Sequence, residues 1–81
     1  MTHSETISRF LTELPKVPVE SEDLIGMEPQ TQWVDIGRPD EAAILCLMIQ
    51  DAQHHQIDHL IAVEDGKLQL WERTPKTEYW Q

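Results

Sequence analysis

Ile7, Phe10, Leu11 and Leu14 recur at i, i+3, i+4 and i+7, separated by Glu5, Ser8, Arg9, Thr12 and Glu13. That spacing gathers the four apolar side chains on one stripe of an α-helix. Thr2 followed by Glu5 matches a capping box, and Pro15 cannot donate the next helical hydrogen bond, so a helix is predicted from about residue 3 to 14. The pattern then lapses. Residues 15–30 read as an acidic, proline-containing loop with Pro15, Pro18 and Pro29 around Glu20, Glu22 and Asp23. Inside it, Ser21 suits the cap of a single helical turn closed by Gly26, with Leu24 and Ile25 expected to pack on the first helix. Thr31 to Ile36 alternates as a short strand, with Val34 and Ile36 on one face, Trp33 and Asp35 on the other, and Gly37 as its end.

Residues 39–53 admit two readings. Pro39, Asp40 and Glu41 suit the first turn of a helix, where a missing amide is harmless and carboxylates meet the positive end of the dipole. Most of the following residues are good helix formers, which favours a second, apolar helix. The eight consecutive apolar residues Ala42 to Ile49 equally suit a central strand buried on both faces, and periodicity does not separate the two. Further on, Asp65-Gly66 stands between two apolar runs and favours a type I′ turn, so residues 57–64 and 67–73 are predicted to form a hairpin. Its inward face includes Ile57, Ile61 and Val63 or their alternates, with Leu68 and Leu70. Thr74 and Pro75 break the second strand and leave 74–81 as an expected flexible tail.

These elements predict an α+β fold. It comprises an N-terminal amphipathic helix, a second apolar helix or central strand, and a small antiparallel sheet containing a C-terminal β-hairpin. The apolar strand, Asp-Gly turn and Trp-bearing strand from Ile57 to Arg73 resemble the last hairpin of nuclear-transport-factor-like cone folds. That family has several helices before its sheet, so the resemblance implies a hairpin and no function.

Length and charge narrow the picture. A chain of 81 residues supports one core, so residues 1–81 are read as a single small domain. Cys46 is the only cysteine, which rules out an internal disulfide and fits a reducing, cytoplasmic setting. The N-terminus lacks a basic opening followed by an apolar stretch, so no signal peptide is expected, and the longest apolar run falls far short of the ~20 residues that span a bilayer. Net charge is −9. Such a balance works against direct binding to nucleic acid or anionic lipid, both of which need a basic footprint.

The carboxylates are also clustered. Between Lys16 and Arg38 lie Glu20, Glu22, Asp23, Glu28 and Asp35, and between Arg38 and Lys67 lie six more, with no basic side chain in either interval. The plain reading is solubility. The sharper one is an acidic face, Glu20, Glu22 and Asp23, that docks on a protein partner with a basic surface. Trp33, Trp71, Tyr79 and Trp80 supply residue types over-represented at interface hot spots, and join it as candidate partner-binding residues.

His54, His55 and His59 are the one cluster with metal-ligand character, since His55 and His59 share a face on either a helix or a strand. The alternative is a solvated pair at a turn and a histidine at the sheet margin. Cys46, among Leu45, Leu47 and Met48, reads as an inert core thiol. No serine sits in a nucleophile elbow, and Gly26, Gly37 and Gly66 are too scattered to cradle phosphate. The expectation is therefore a non-catalytic interaction or regulatory protein without a cofactor, with a small metal- or ligand-binding domain built on the histidines as the alternative. The all-apolar run further predicts a homodimer, with Leu47 and Ile49 at its interface.

Overall fold

A computed structural model of the chain describes residues 3–73. The first helix, α1, spans His3–Glu13. Lys16 closes it: its ammonium donates to the carbonyls of Thr12 and Leu14 at 2.7 and 2.8 Å, where the helix dipole favours a cation. Strand β1, Val17–Pro18, follows, then a 3₁₀ turn at Glu22–Leu24 and strands β2, Met27–Pro29, and β3, Val34–Asp35. Helix α2 occupies Pro39–His54, and β4, His59–Glu64, and β5, Lys67–Arg73, form the terminal hairpin.

Residues 39–54 are thus a helix. No central slot is open to them as a strand, because both edges of the β4–β5 hairpin are already paired: β1 lies beside β4, while β2 and β3 lie along β5. The sheet is mixed rather than antiparallel throughout. Val17 and Pro18 run parallel to Ala62 and Val63, an arrangement that the long connection through β2, β3 and α2 allows.

The hairpin turn follows the Asp-Gly expectation, with φ of 51° at Asp65 and 74° at Gly66. Pairing of Ile61 with Leu70 and of Val63 with Leu68 sets the register, and these four side chains point to the helices. They meet Leu11 of α1 and Ala42, Leu45, Cys46 and Ile49 of α2 in the main core. Val34 and Ile36 join the same cluster, as their alternation with Trp33 and Asp35 predicts, although the strand itself is only two residues long.

The opposite face of the sheet is covered too. Ala62 and, less buried, Leu60 and Trp71 pack there against Leu24, Met27, Val17 and Trp33. Leu24 therefore does not sit on the first helix, as expected from sequence, but on the far side of the sheet, and Ile25 beside it is 74% exposed. Burial on both faces explains why Leu68, Gln69 and Leu70 are consecutively buried, a pattern in which a strand loses its period of two.

The apolar run of α2 is partitioned by helix geometry. Ala42, Leu45, Cys46 and Ile49 face the core, whereas Ile44 and Leu47 face solvent at 60% and 66% exposure. Ile49 is fully buried, so the expected interface role does not fit it. Cys46 is buried as predicted, and burial pushes its thiol pKa up. No helix among the described residues is long and apolar enough to cross a membrane.

Candidate functional site

Side chains of β1 and β2 and of the connections between β1 and β3 pack as a layer on the sheet face that the helices leave open, and this segment holds most of the candidate partner-binding residues. Ser21 initiates the 3₁₀ turn, its hydroxyl accepting from the Asp23 amide at 3.1 Å. The turn aims Leu24 inward and leaves Glu22 and Asp23 outward, with Glu20 exposed just before it. Gly26, at φ 85°, reverses the chain into β2, so that Met27 is buried next to Leu24 while Ile25 stands out at the tip. A Cβ at Gly26 would lie 3.0 Å from the Arg73 guanidinium, which shows how tightly the turn meets the end of β5.

Both described tryptophans belong to this layer. Trp33 and Trp71 are half-buried against Leu24, Met27 and Ala62. The Trp71 indole N–H donates to Gln69 Oε1 at 2.8 Å, and the Gln69 amide donates in turn to the Thr31 carbonyl at 2.8 Å. The Leu70 amide is held by the Thr31 hydroxyl, and the Gln30 amide donates to the Leu70 carbonyl. This polar clasp bridges the gap between β2 and β3 along β5 and fixes the Trp71 ring. With its one polar atom engaged, Trp71 offers a partner only apolar surface.

Lys16 is engaged with the end of α1, Arg38 with Glu41 at 3.5 Å, and Arg73, whose guanidinium borders Gly26, with Asp58 at 2.7 Å. Among the described residues no basic group pairs with Glu20, Glu22 or Asp23. Tyr79 and Trp80 lie outside the described residues.

The histidines are dispersed around the end of α2. His54 and His55 are exposed and meet edge to face with ring centroids 5.1 Å apart, and His55 Nδ1 lies 2.9 Å from the Asp51 carbonyl oxygen and 3.3 Å from its carboxylate. Gln56 then turns the chain at φ 58°. His59 sits half-buried at the start of β4 with Nδ1 2.8 Å from the Ile57 carbonyl oxygen. Among the described residues no three His, Cys, Asp or Glu side chains converge closely enough to hold a metal ion.

Three contributors to the layer escaped the sequence reading. Gln69 looks like an ordinary outward residue between two leucines, Thr31 like a loop hydroxyl, and Ile25 like a core aliphatic. Each role depends on a contact between segments distant in sequence, for which residue type and spacing carry no signal. The chain matches no protein-family model, no curated protein and no solved structure.

Proposed function

We propose that this chain is a non-catalytic interaction or regulatory protein that docks on a basic protein partner through the layer carrying Glu20, Glu22, Asp23, Trp33 and Trp71. One observation carries the reading: three exposed carboxylates with no ion pair among the described residues and the exposed tip Ile25 flank Leu24, which packs with two half-buried tryptophans on one face of the sheet. Aromatic area bordered by carboxylates suits a docking surface, in which the aromatic area supplies affinity and the charge supplies rate and selectivity. The clasp through Gln69 and Thr31 supports it further, because a ring held in place loses little freedom on binding. A reducing, cytoplasmic setting accords with the single buried Cys46.

The test is kinetic. Association with the partner should slow steeply as salt rises, and the Glu20→Lys, Glu22→Lys, Asp23→Lys triple variant should slow it further at low salt while leaving the fold intact. A partner whose association rate ignores both salt and charge reversal would reduce these carboxylates to solubilising groups.

A further inference from the structure

Among the described residues helix α2 carries a second uncovered surface, on the side of the sheet opposite the acidic layer. Along its solvent face Asp40, Ile44, Leu47 and Asp51 fall at i, i+4, i+7 and i+11, one continuous line of two aliphatics between two carboxylates. Single exposed aliphatics are ordinary. Here Ile44 of the exposed pair lines a groove of about 440 Å³ between α2 and the chain leading into β3, with Val34, Leu45 and Met48 as its other apolar lining and Gln32 and Glu41 among its polar residues, while Leu47 continues the apolar surface one turn along the helix, outside the groove.

We infer that this face is a docking site for an amphipathic helix of a partner protein, one with two apolar side chains a turn apart and a lysine or arginine a turn beyond each. The proposal goes beyond the acidic layer and concerns separate residues. Its occupant is chosen by charge. A second copy packed antiparallel about the midpoint of Ile44 and Leu47 would set Asp40 against Asp51 at both ends, and a parallel copy would set each aspartate against itself. Either pairing opposes like charges between chains that already carry −9 each. A helix with basic ends meets Asp40 at one end and Asp51 at the other, while its apolar pair covers Ile44 and Leu47 and reaches the groove, the recurring way in which a helix seats in an apolar groove. Arg38 and His55 lie next to these ends: Arg38 is drawn to Glu41, and His55 Nδ1 lies 2.9 Å from the Asp51 carbonyl oxygen and 3.3 Å from its carboxylate, a contact that the partner's cation would share.

The test uses the full chain and a synthetic amidated helical peptide with leucines at two positions three apart and lysine four residues outside each. Titration followed by methyl and amide NMR should shift the signals of Ile44, Leu47, Met48 and Gln32 saturably, with a dissociation constant in the range of about 10–500 μM. Exchanging the lysines for glutamates, or making Leu47→Glu in the protein, should weaken binding at least tenfold, with the variant's spectrum remaining that of a folded chain. Sedimentation of the protein alone from about 1 to 100 μM should give a monomer. The inference is overturned by absence of saturable shifts on α2, by equal binding of the acidic peptide, or by shifts confined to residues 20–28. A wild-type dimer that Leu47→Glu converts to a monomer also overturns it, by assigning the face to a second copy. Shifts confined to residues 20–28 would place the peptide on the acidic layer; the other results leave that layer to its own test, reversal of Glu20, Glu22 and Asp23 with Leu47 intact.

Discussion

Leu47 and Ile49 are two residues apart in one apolar run, yet glutamate should have opposite consequences at the two positions. Ile49 is fully buried in the main core. Removing its side chain alone costs about 2–5 kcal/mol through lost transfer energy and a residual cavity. A glutamate there would in addition place a carboxylate among Leu11, Leu45 and Leu70 with no partner in reach, a further penalty of several kcal/mol. A domain of this size has only about 3–5 kcal/mol to lose, so Ile49→Glu should be unfolded at 25 °C.

Leu47 is 66% exposed. Only about a third of the ~1.5–3 kcal/mol gained by fully burying a leucine is therefore at stake, or about 0.5–1 kcal/mol. Repulsion from Asp51 at i+4 adds about 0.2–0.5 kcal/mol. Leu47→Glu should lose less than about 1.5 kcal/mol, a fall in Tm below about 12 °C at 4–8 °C per kcal/mol. Urea unfolding at 25 °C and thermal unfolding, both followed by far-ultraviolet circular dichroism, give the two numbers. Equal losses at the two positions, or a folded Ile49→Glu, would show that α2 is rotated from the orientation described here and would remove the docking face with it.

Other outcomes follow from the same geometry. Gly66 sits at φ 74° with open space around a built Cβ, so Gly66→Val should lose about 1–2 kcal/mol through backbone strain alone, whereas D-alanine introduced by chemical synthesis should be neutral or stabilising; equal loss from both would refute the left-handed turn. Gln69→Leu leaves the Trp71 N–H and the Thr31 carbonyl without their partner and should destabilise by about 1–3 kcal/mol with a change in tryptophan emission, read by fluorescence-monitored unfolding. Cys46 has its pKa raised by burial, so the folded state keeps its proton where the unfolded thiol has lost it; the stability it contributes should be full below pH 9.0 and decline above it, and the decline should flatten in Cys46→Ala. The exposed Arg73–Asp58 pair should contribute under about 1 kcal/mol in a double-mutant cycle.

Local rules carried the fold where one segment decided its own structure. The stripe from Ile7 to Leu14, the Pro39-Asp40-Glu41 helix start and the Asp65-Gly66 turn each satisfy their backbone geometry without help from elsewhere, and all three are present. The Val34 and Ile36 alternation was legible for the same reason. What remained hidden depends on which side of the sheet a segment crosses. Leu24 and Ile25 are adjacent aliphatics of nearly equal hydrophobicity, and only the course of residues 15–33 over the far face decides that one is core and the other tip. In the Ala42 to Ile49 run every position is apolar, so no contrast fixes the phase of the helix, and Ile49 is indistinguishable from Leu47 until α1 and β5 cover one side. The candidate surface was partly legible: Glu20, Glu22, Asp23, Trp33 and Trp71 were identifiable by type, but their assembly into one layer rests on the Gln69 and Thr31 clasp.

The central claim, that the acidic layer is where a partner docks, is tested most directly by a photo-crosslinking residue at position 25. That tip is 74% exposed and follows the turn that carries Glu22 and Asp23. In the organism's own cells, irradiation should join the full chain to one discrete protein with a basic surface. The adduct should disappear when Glu20, Glu22 and Asp23 are changed to lysine, and should not form from the same residue at position 54. No adduct from position 25, or one that survives the charge reversal, would contradict the account.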